Sequence, residues 1–372
     1  AFAAGLMTRN INKALSVFMV DYSCGIKLSA SISVISAMRE AASRRIMVKG
    51  GKFLEAFANA DTVIFDKTGT LTEACPTVSG IMAFEGYTEE EVLKTAACIE
   101  EHFPHSMARA VVRRAAERGL VHEEEHAEVE YVVAHGVVTK LRGERVLIGS
   151  AHFVFEDEGT QYTDEQMKAI EKAAGGGSAL YLAAGGKLAG AIFINVPPRK
   201  EAAEAVRALR DLGIKRIVML TGDSDSAARA VCAELGIDEY RSQVLPAEKA
   251  EIVENYKNNG GTVIMVGDGV NDSPALAAAD VSVSMKDSSD IAREVADVTL
   301  LSADLRELAV LRQLSVLLLA RINKNYKFVI SFNTALLLLG LAGAIAPGRA
   351  AFLHNASTMG MSVSCMRPLL KG

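Results

Sequence analysis

Residues 62–72 read "TVIFDKTGTLT", a short apolar run that ends at an acidic residue and continues with small polar ones. The run "TVIF" is typical of a buried strand, and Asp66 stands where that strand should end. A carboxylate exposed at a strand end can attack phosphorus and form an acyl phosphate. Asp66 is therefore the first candidate catalytic residue.

Two later stretches have the same form. "IVML" precedes Thr221 in "TGDSDS", and "TVIMV" precedes Asp268 in "GDGVNDSPAL". Helical patterns follow both, and alternating strands and helices predict a mostly parallel sheet with ligands at the carboxyl ends of its strands. "TGD" by itself would also fit a solvated turn. The three stretches together, each at a strand end, favour one shared site.

A phosphoryl group that enters this site carries charge on three oxygens, so hydroxyls, amides and a cation must surround it. The Thr221 hydroxyl and the Gly222 amide suit one side, and Lys249 in "LPAEKAEIV" suits another. Mg²⁺ prefers hard oxygen ligands. The expected ligands are the Asp66 and Asp268 carboxylates and the Thr68 carbonyl.

Composition limits the other possibilities. The chain has 372 residues, enough for two or three domains, and its formal charge of −5 is spread out, which argues against a nucleic-acid partner. The five cysteines lie far apart in the sequence. This spacing favours reduced thiols in a cytosol-facing protein over a disulfide framework.

The pattern changes between the first and second acidic turns. Two amphipathic helices, "EEEVLKTAACIEEHF" and "SMARAVVRRAAERGL", are followed by short alternating strands such as "VTKLRGERVLIG". "GGG" at 175–177 and "VPPR" at 196–199 are breaks. We interpret this part as an α+β domain inserted into the α/β domain.

Apolar residues concentrate at the two ends of the chain, in residues 14–38, 326–346 and 350–370. A membrane span needs about 20 mainly apolar residues; the second segment qualifies, and the other two are more polar. Basic residues flank these segments on the inner side, which predicts a multi-pass protein of the cell membrane with the middle of the chain in the cytoplasm. Buried helices of a soluble protein are the alternative.

"DKTGTLT", "TGDS" and "VGDGVNDSPAL" resemble the phosphorylation, hinge-side and magnesium motifs of the P-type ATPases, which belong to the haloacid dehalogenase-like superfamily. "KGGKFLE" before Asp66 and the few C-terminal spans resemble the heavy-metal-translocating (CPx-type) branch. The resemblance implies an α/β, Rossmann-type phosphorylation domain with an inserted α+β nucleotide-binding domain, flanked by transmembrane helices. The implied parts are a membrane helix and stalk (1–50), the phosphorylation domain (51–75 and 196–305), the nucleotide-binding domain (76–195), and a stalk with two membrane helices (306–372).

The resemblance also implies ATP-driven transport, usually export, of a transition-metal cation through an aspartyl phosphate on Asp66. The matching motifs add Lys67, Asp223, Asn271 and Asp272 to the catalytic set. Phosphatases of the superfamily carry a second aspartate two positions after the nucleophile, where this chain has Thr68. Without that base the phosphoenzyme should persist. A soluble phosphatase is the alternative, and it would need the second aspartate.

The nucleotide-binding residues match the branch in part. His105 in "HFPHSMA" is the match for the histidine of Ser-Glu-His-Pro-Leu-Ala, with His102 as a rival. Gly136 in "AHG" and Gly149 in "IGS" match the glycines that contact the nucleotide. Glycines of ordinary hairpin turns are the alternative for both.

In this branch a Cys-Pro-Cys motif lies beside the ion. Alignment through "KGG" places Tyr22-Ser23-Cys24 there, so one thiolate remains and Asp21 adds a hard oxygen. That argues against Cu(I) and for a divalent ion of the Zn, Mn, Fe or Co class. His354 and Cys365 are tentative further ligands. Lys27 is either a counter-charge or a side chain that reaches toward the membrane surface.

The actuator motif Thr-Gly-Glu of these pumps does not occur in the sequence. We therefore expect this chain to be the C-terminal part of a longer protein, whose N-terminal half supplies the actuator domain and further spans. An ATP-binding regulatory fragment without transport is the alternative. An upstream reading frame that encodes Thr-Gly-Glu would support the pump.

Overall fold

The computed structural model describes part of the chain. The described residues are Leu15, 18–73, 76–84, 86–101, 106–120, 126–132, 136–141, 143–174, 178–223, 225–268, 272–286, 288–302 and 304–370. The chain divides into two compact units. Unit 1 comprises Ala1–Phe65, Ala203–Val218 and Leu245–Gly372, and unit 2 comprises Asp66–Ala202 and Met219–Val244.

The strands and helices follow one another along the chain. The strands are β1 (Ile46–Val48), β2 (Thr62–Asp66), β3 (Thr77–Ala83), β4 (His126–Val132), β5 (Gly136–Leu141), β6 (Glu144–Gly149), β7 (Ser178–Ala184), β8 (Lys187–Asn195), β9 (Arg216–Leu220), β10 (Glu239–Arg241), β11 (Val263–Gly267), β12 (Val281–Ser284) and β13 (Val298–Leu300). The α-helices are α1 (Tyr22–Ser43), α2 (Gly51–Asn59), α3 (Glu89–Glu100), α4 (Ser106–Glu117), α5 (Asp164–Ala174), α6 (Ala202–Asp211), α7 (Asp225–Leu235), α8 (Pro246–Asn258), α9 (Ser273–Ala278), α10 (Asp290–Val295), α11 (Arg306–Leu341) and α12 (Pro347–Cys365).

The first sheet has the strand order β1-β13-β12-β11-β2-β9-β10. Strands β2, β11, β12 and β13 pair in parallel, with Phe65 opposite Val266, and β1 closes one edge in the antiparallel direction. Every residue of β2, β11 and β12 is buried. Uniform burial is typical of a parallel sheet that is covered on both faces, and it explains why these strands are continuous apolar runs in the sequence.

The second sheet is antiparallel and lies in unit 2, with the strand order β3-β8-β7-β6-β5-β4. Val92 and Val111 of α3 and α4 pack into a core with its strand residues. A second core gathers Phe153 and Ile170, which lie in the turn after β6 and in α5. Both groups cover apolar strand residues, so this sheet has its own hydrophobic core.

Three long helices, α1, α11 and α12, pack together within unit 1. The buried residues of α1 recur every four positions and are small, from Gly25 to Ala41. This spacing places them on one helix face. Val329 of α11 and Met361 of α12 pack with Ile26 and Ile32 of α1.

None of the described helices is both long enough and apolar enough to cross a membrane. The three spans expected from the sequence are therefore not confirmed among the described residues. In α11 the apolar part after Lys327 stops with the helix at Leu341, which is short of the about 20 residues that a span needs. Helices α1 and α12 carry many serine residues together with Lys27 and His354.

Glu100, the last residue of α3, is a buried acid in unit 2. Burial raises the pKa of its carboxyl from 4.5 to about 7. Between these values the folded chain binds more protons than the unfolded chain, so the free energy of unfolding should fall as the pH rises from 4.5 to 7.

We expect Glu100→Gln to remove this pH dependence, which amounts to about 3 kcal/mol. Urea unfolding at several pH values measures this dependence. The transition is monitored by far-ultraviolet circular dichroism, because the chain has no tryptophan whose fluorescence could report it. Glu101→Gln, at the exposed next position, is the control. An unchanged pH slope in Glu100→Gln would contradict the prediction.

Candidate active site

Asp66 is the last residue of β2 and is itself buried. The next residues form one tight turn, Lys67–Leu71, in which the Thr68 N–H donates to the Asp66 carboxylate at 3.0 Å. Gly69 takes a φ of +72°, which favours glycine and lets the chain reverse. The turn therefore presents Asp66 at a strand end and fixes its carboxylate through the backbone.

Arg199 supports the same turn, although sequence reasoning treated "VPPR" only as a break. Its buried guanidinium donates to the carbonyls of Thr70 and Gly69, both at 2.9 Å. Its own N–H donates to the Leu71 carbonyl at 2.9 Å. A cation placed directly after two prolines at the end of a buried strand is the signal that could have identified it.

The turn after β9 contains Thr221, Gly222 and Asp223. The Thr221 N–H donates to the Arg241 carbonyl at 3.0 Å, and the Thr221 hydroxyl oxygen accepts from the Asp223 N–H at 3.1 Å. Thr221 is buried, whereas Gly222 is exposed. The Asp223 carboxylate forms an ion pair with Lys67, so these two predicted catalytic residues come together.

Lys249 and Asp272 form a buried ion pair in unit 1. The Lys249 ammonium donates to an Asp272 carboxylate oxygen at 2.7 Å, and both side chains are at most one-tenth exposed. Lys249 lies on α8, and Asp272 directly precedes α9. Each charge is therefore compensated by the other in a place where water cannot do so.

Acidic side chains gather at the carboxyl ends of β2 and β11, as the parallel pairing predicts. Within unit 1, one carboxylate oxygen of Asp268 lies within 4.8 Å of one of Asp272. Like charges this close repel one another, so a cation would stabilise the group. The ligands are hard oxygens, which fit Mg²⁺.

The comparison with known proteins agrees with this geometry. Residues 60–280 match the haloacid dehalogenase-like hydrolase family. The chain belongs to this family. The matched part runs from before β2 to the end of α9, so it contains all three acidic turns.

Within this hydrolase family the chain resembles heavy-metal pumps. It is 39% identical to a zinc-exporting P-type ATPase of Mycobacterium marinum, over 97% of this chain and 50% of that protein. It is 37% identical to a manganese-exporting P-type ATPase of Mycobacterium leprae, again over 97% of this chain and 50% of that protein. The chain thus spans about half the length of the curated relatives it matches.

A solved structure gives the same result. The crystal structure of a zinc-transporting PIB-type ATPase in the E2·Pi state superposes with a TM-score of 0.83 at 32% identity. The match covers 94% of this chain and 56% of that one. The predicted resemblance to heavy-metal P-type ATPases and the haloacid dehalogenase-like α/β fold are thereby confirmed.

The predicted nucleotide and catalytic residues of this hydrolase are described in part. His105 and Asn271 lie outside the described residues. Gly136 and Gly149 face each other across β5 and β6. A Cβ at Gly136 would lie 2.6 Å from the Ile148 carbonyl and against the Phe153 ring. Packing therefore requires glycine at 136 whether or not a nucleotide binds there.

The four tentative ion ligands are spread over two helices. Asp21 is the N-cap of α1, where its carboxylate accepts from the N–H groups of Ser23 and Cys24 at 2.8 and 3.0 Å. Cys24 is exposed on the same helix. His354 is buried on α12, with its Nδ1 3.1 Å from the Asn333 side-chain oxygen.

Cys365 lies at the carboxyl end of α12, far from His354. Its sulfur is buried and accepts from the Asn325 amide at 3.1 Å. At the helical rise of about 1.5 Å per residue, His354 and Cys365 lie roughly 16 Å apart along α12, too far to share an ion. Among the residues that the structure covers, Asp21, Cys24, His354 and Cys365 do not form a group of three possible metal ligands. Lys27 is exposed on α1.

Lys249→Met leaves the buried Asp272 carboxylate without its cation, and we expect the free energy of unfolding to fall by about 3–5 kcal/mol. The double change Lys249→Met with Asp272→Leu should recover part of this loss. Urea unfolding measures both variants.

Lys257 is a matched control on α8, because it pairs with Asp280 at 3.4 Å while each side chain is about one-third exposed. Lys257→Met should therefore cost about 1 kcal/mol or less. Equal losses for Lys249→Met and Lys257→Met would show that burial of the first pair has no energetic consequence.

Proposed function

We propose that this chain is the catalytic, C-terminal part of an ATP-driven exporter of a divalent transition-metal cation. The observation that carries the proposal is the Asp66 turn: a carboxylate at the end of β2, followed at position 68 by an exposed threonine instead of an acid. This arrangement supplies a nucleophile without the second aspartate two positions later that would act as general base, which favours a long-lived aspartyl phosphate.

In the proposed step a carboxylate oxygen of Asp66 attacks the γ-phosphorus of ATP. A new oxygen–phosphorus bond forms, the bond from the γ-phosphorus to the β,γ-bridging oxygen breaks, and ADP leaves with that electron pair. The Thr68 N–H orients the attacking carboxylate. The Thr221 hydroxyl and Gly222 amide are proposed to receive the transferred oxygens, with Lys249 as the cationic partner on the other side.

Asp66, Asp268 and the Thr68 carbonyl are the proposed Mg²⁺ ligands. Bound there, Mg²⁺ would neutralise charge on the phosphoryl oxygens. Lys67, Asp223, Asn271 and Asp272 are proposed to shape the same pocket. Two of them, Lys67 and Asp223, are tied by an ion pair and so restrict each other's position.

The ATP is proposed to bind on the inserted domain, with His105, Gly136 and Gly149 as contacts. In the whole protein we place this domain in the cytoplasm and the ion pathway in the cell membrane. The N-terminal half of the same protein would supply the actuator domain and further spans. Relatives that span twice the length of this chain support that arrangement.

The proposed cargo belongs to the Zn, Mn, Fe or Co class. Support comes from the chemistry of Asp21, Cys24 and His354, a mixed oxygen, sulfur and nitrogen set. Relatives named as zinc and manganese exporters are consistent with a divalent ion. Cys365 is left out of the proposal because its sulfur is buried far along α12 from His354.

The phosphoenzyme is the first test. Membranes that contain the full-length protein should take up label from γ-labelled ATP, and hydroxylamine should release it because it cleaves acyl phosphates. Asp66→Asn should abolish the label, whereas Asp290→Asn, an acid that is 94% exposed, should not. Label in Asp66→Asn would refute the assignment.

Thr68→Asp should shorten the phosphoenzyme lifetime, by roughly the 10²–10⁴-fold that a general base contributes. A rapid turnover in the unchanged protein would favour the phosphatase instead.

The cargo requires a separate experiment. ATPase activity of the full-length protein is measured against Mn²⁺, Fe²⁺, Co²⁺, Zn²⁺, Cd²⁺ and Cu(I), with Asp66→Asn as the blank. We expect a divalent ion to stimulate most. Cys24→Ala should reduce that stimulation, and an unchanged response in Cys24→Ala would remove Cys24 from the ion site. Activity without any metal response would favour the regulatory fragment.

A further inference from the structure

Arg312 is a buried cation with an unusual set of partners. It lies on α11 with 6% of its surface exposed. Its guanidinium donates to the Phe57 carbonyl and, at 3.3 Å, to the Leu212 carbonyl. Burial lowers its pKa, but a guanidinium stays charged in proteins. In the part of the chain that the structure describes, no carboxylate pairs with it.

Both acceptors lie at the carboxyl ends of helices. Phe57 is in the last turn of α2, and Leu212 directly follows α6. Carbonyls at helix ends lack intrahelical donors and carry partial negative charge. A guanidinium between two such ends satisfies both at once, and its planar, forked shape fixes the direction of each bond.

The two helices lead into the strands that carry the chemistry. Helix α2 precedes β2, which ends at Asp66, and α6 precedes β9, which ends directly before Thr221. Hydrogen bonds also join the two connections, because the Asp61 carbonyl accepts from the N–H groups of Lys215 and Arg216 at 2.8 and 3.1 Å. Arg312 thus contacts the carboxyl ends of the two helices that lead into β2 and β9.

The carboxyl-terminal part of α11 contacts helices α1 and α12, which carry the proposed ion ligands. Asn333 donates to the Asp21 carbonyl at 3.2 Å and contacts His354. The helix runs without proline from Arg306 to Leu341, so Arg312 and Asn333 lie on one continuous element. Their separation along it is roughly 32 Å.

We propose that Arg312 is a positioning residue that fixes α11 to the carboxyl ends of α2 and α6, the helices that lead into β2 and β9, so that ion binding near Asn333 and His354 is transmitted to Asp66. This inference rests on the proposed function, because it assigns a route between the two proposed sites. A hydrophobic side chain would fill the same space without the cost of burying a charge. The two directional bonds are what a hydrophobic residue could not provide.

The test uses the full-length protein in membranes and compares labelling from γ-labelled ATP with and without added Zn²⁺ and, separately, Mn²⁺. The measured quantity is the ratio of the two labelling levels. We expect Arg312→Met to form phosphoenzyme but to lower this ratio at least about fivefold, the lower limit of typical coupling between sites. Arg312→Lys keeps the charge but reaches one carbonyl at a time, so its ratio should be intermediate.

Arg306→Met is the matched control. Arg306 is on the same helix but is exposed, and it pairs with Asp304 at 2.7 Å and Glu204 at 3.4 Å. Its ratio should equal that of the unchanged protein. A normal ratio in Arg312→Met would overturn the inference. So would loss of all labelling in both Arg312 variants, because that outcome indicates support of the catalytic strands alone.

The unchanged protein distinguishes this inference from the proposed function. If it forms no phosphoenzyme under any condition, the proposed function fails and the inference fails with it. If it forms a phosphoenzyme that responds to metal, the proposed function stands and the variants alone decide the role of Arg312.

Discussion

Strands β2 and β11 run parallel with Phe65 opposite Val266, and the arrangement of the candidate active site depends on this pairing. Parallel neighbours end at the same edge of a sheet, so Asp66 and Asp268 follow their strands into one region. Every residue of both strands is buried, and a one-residue slip in register would turn the side chains of one strand to the opposite face of the sheet. The geometry of the candidate site is thus a consequence of core packing.

The turns at this edge are held mainly by backbone groups. Arg199 and the Thr68 N–H fix the Asp66 turn, and the Arg241 carbonyl fixes the Thr221 turn. The Thr221 hydroxyl oxygen accepts from the Asp223 N–H, and its O–H can still act as a donor. This arrangement would suit the proposed phosphoryl transfer, since donors held in advance need not reorganise during the reaction.

Local sequence was enough to predict some residues and not others. Asp66, Thr221 and Asp268 were predictable because each follows a continuous apolar run, and parallel sheets place strand ends together. The roles of Arg199 and Arg312 were not, because both bond to carbonyls that lie far away in sequence. The membrane spans were expected from apolar composition. Composition does not show where a helix ends, and α11 ends at Leu341. Cys365 was grouped with His354 by motif, although the two residues lie about three turns apart on the same helix.

The sequence by itself determined the kind of fold and the position of the proposed nucleophile, because strand periodicity, turn residues and the threonine at position 68 are local properties. Only the tertiary structure decided which distant groups meet: Lys67 with Asp223, Lys249 with Asp272, and Arg312 with the ends of α2 and α6. The physical reason is that buried charges must find partners. Packing of elements that are far apart in the chain decides which partners are within reach.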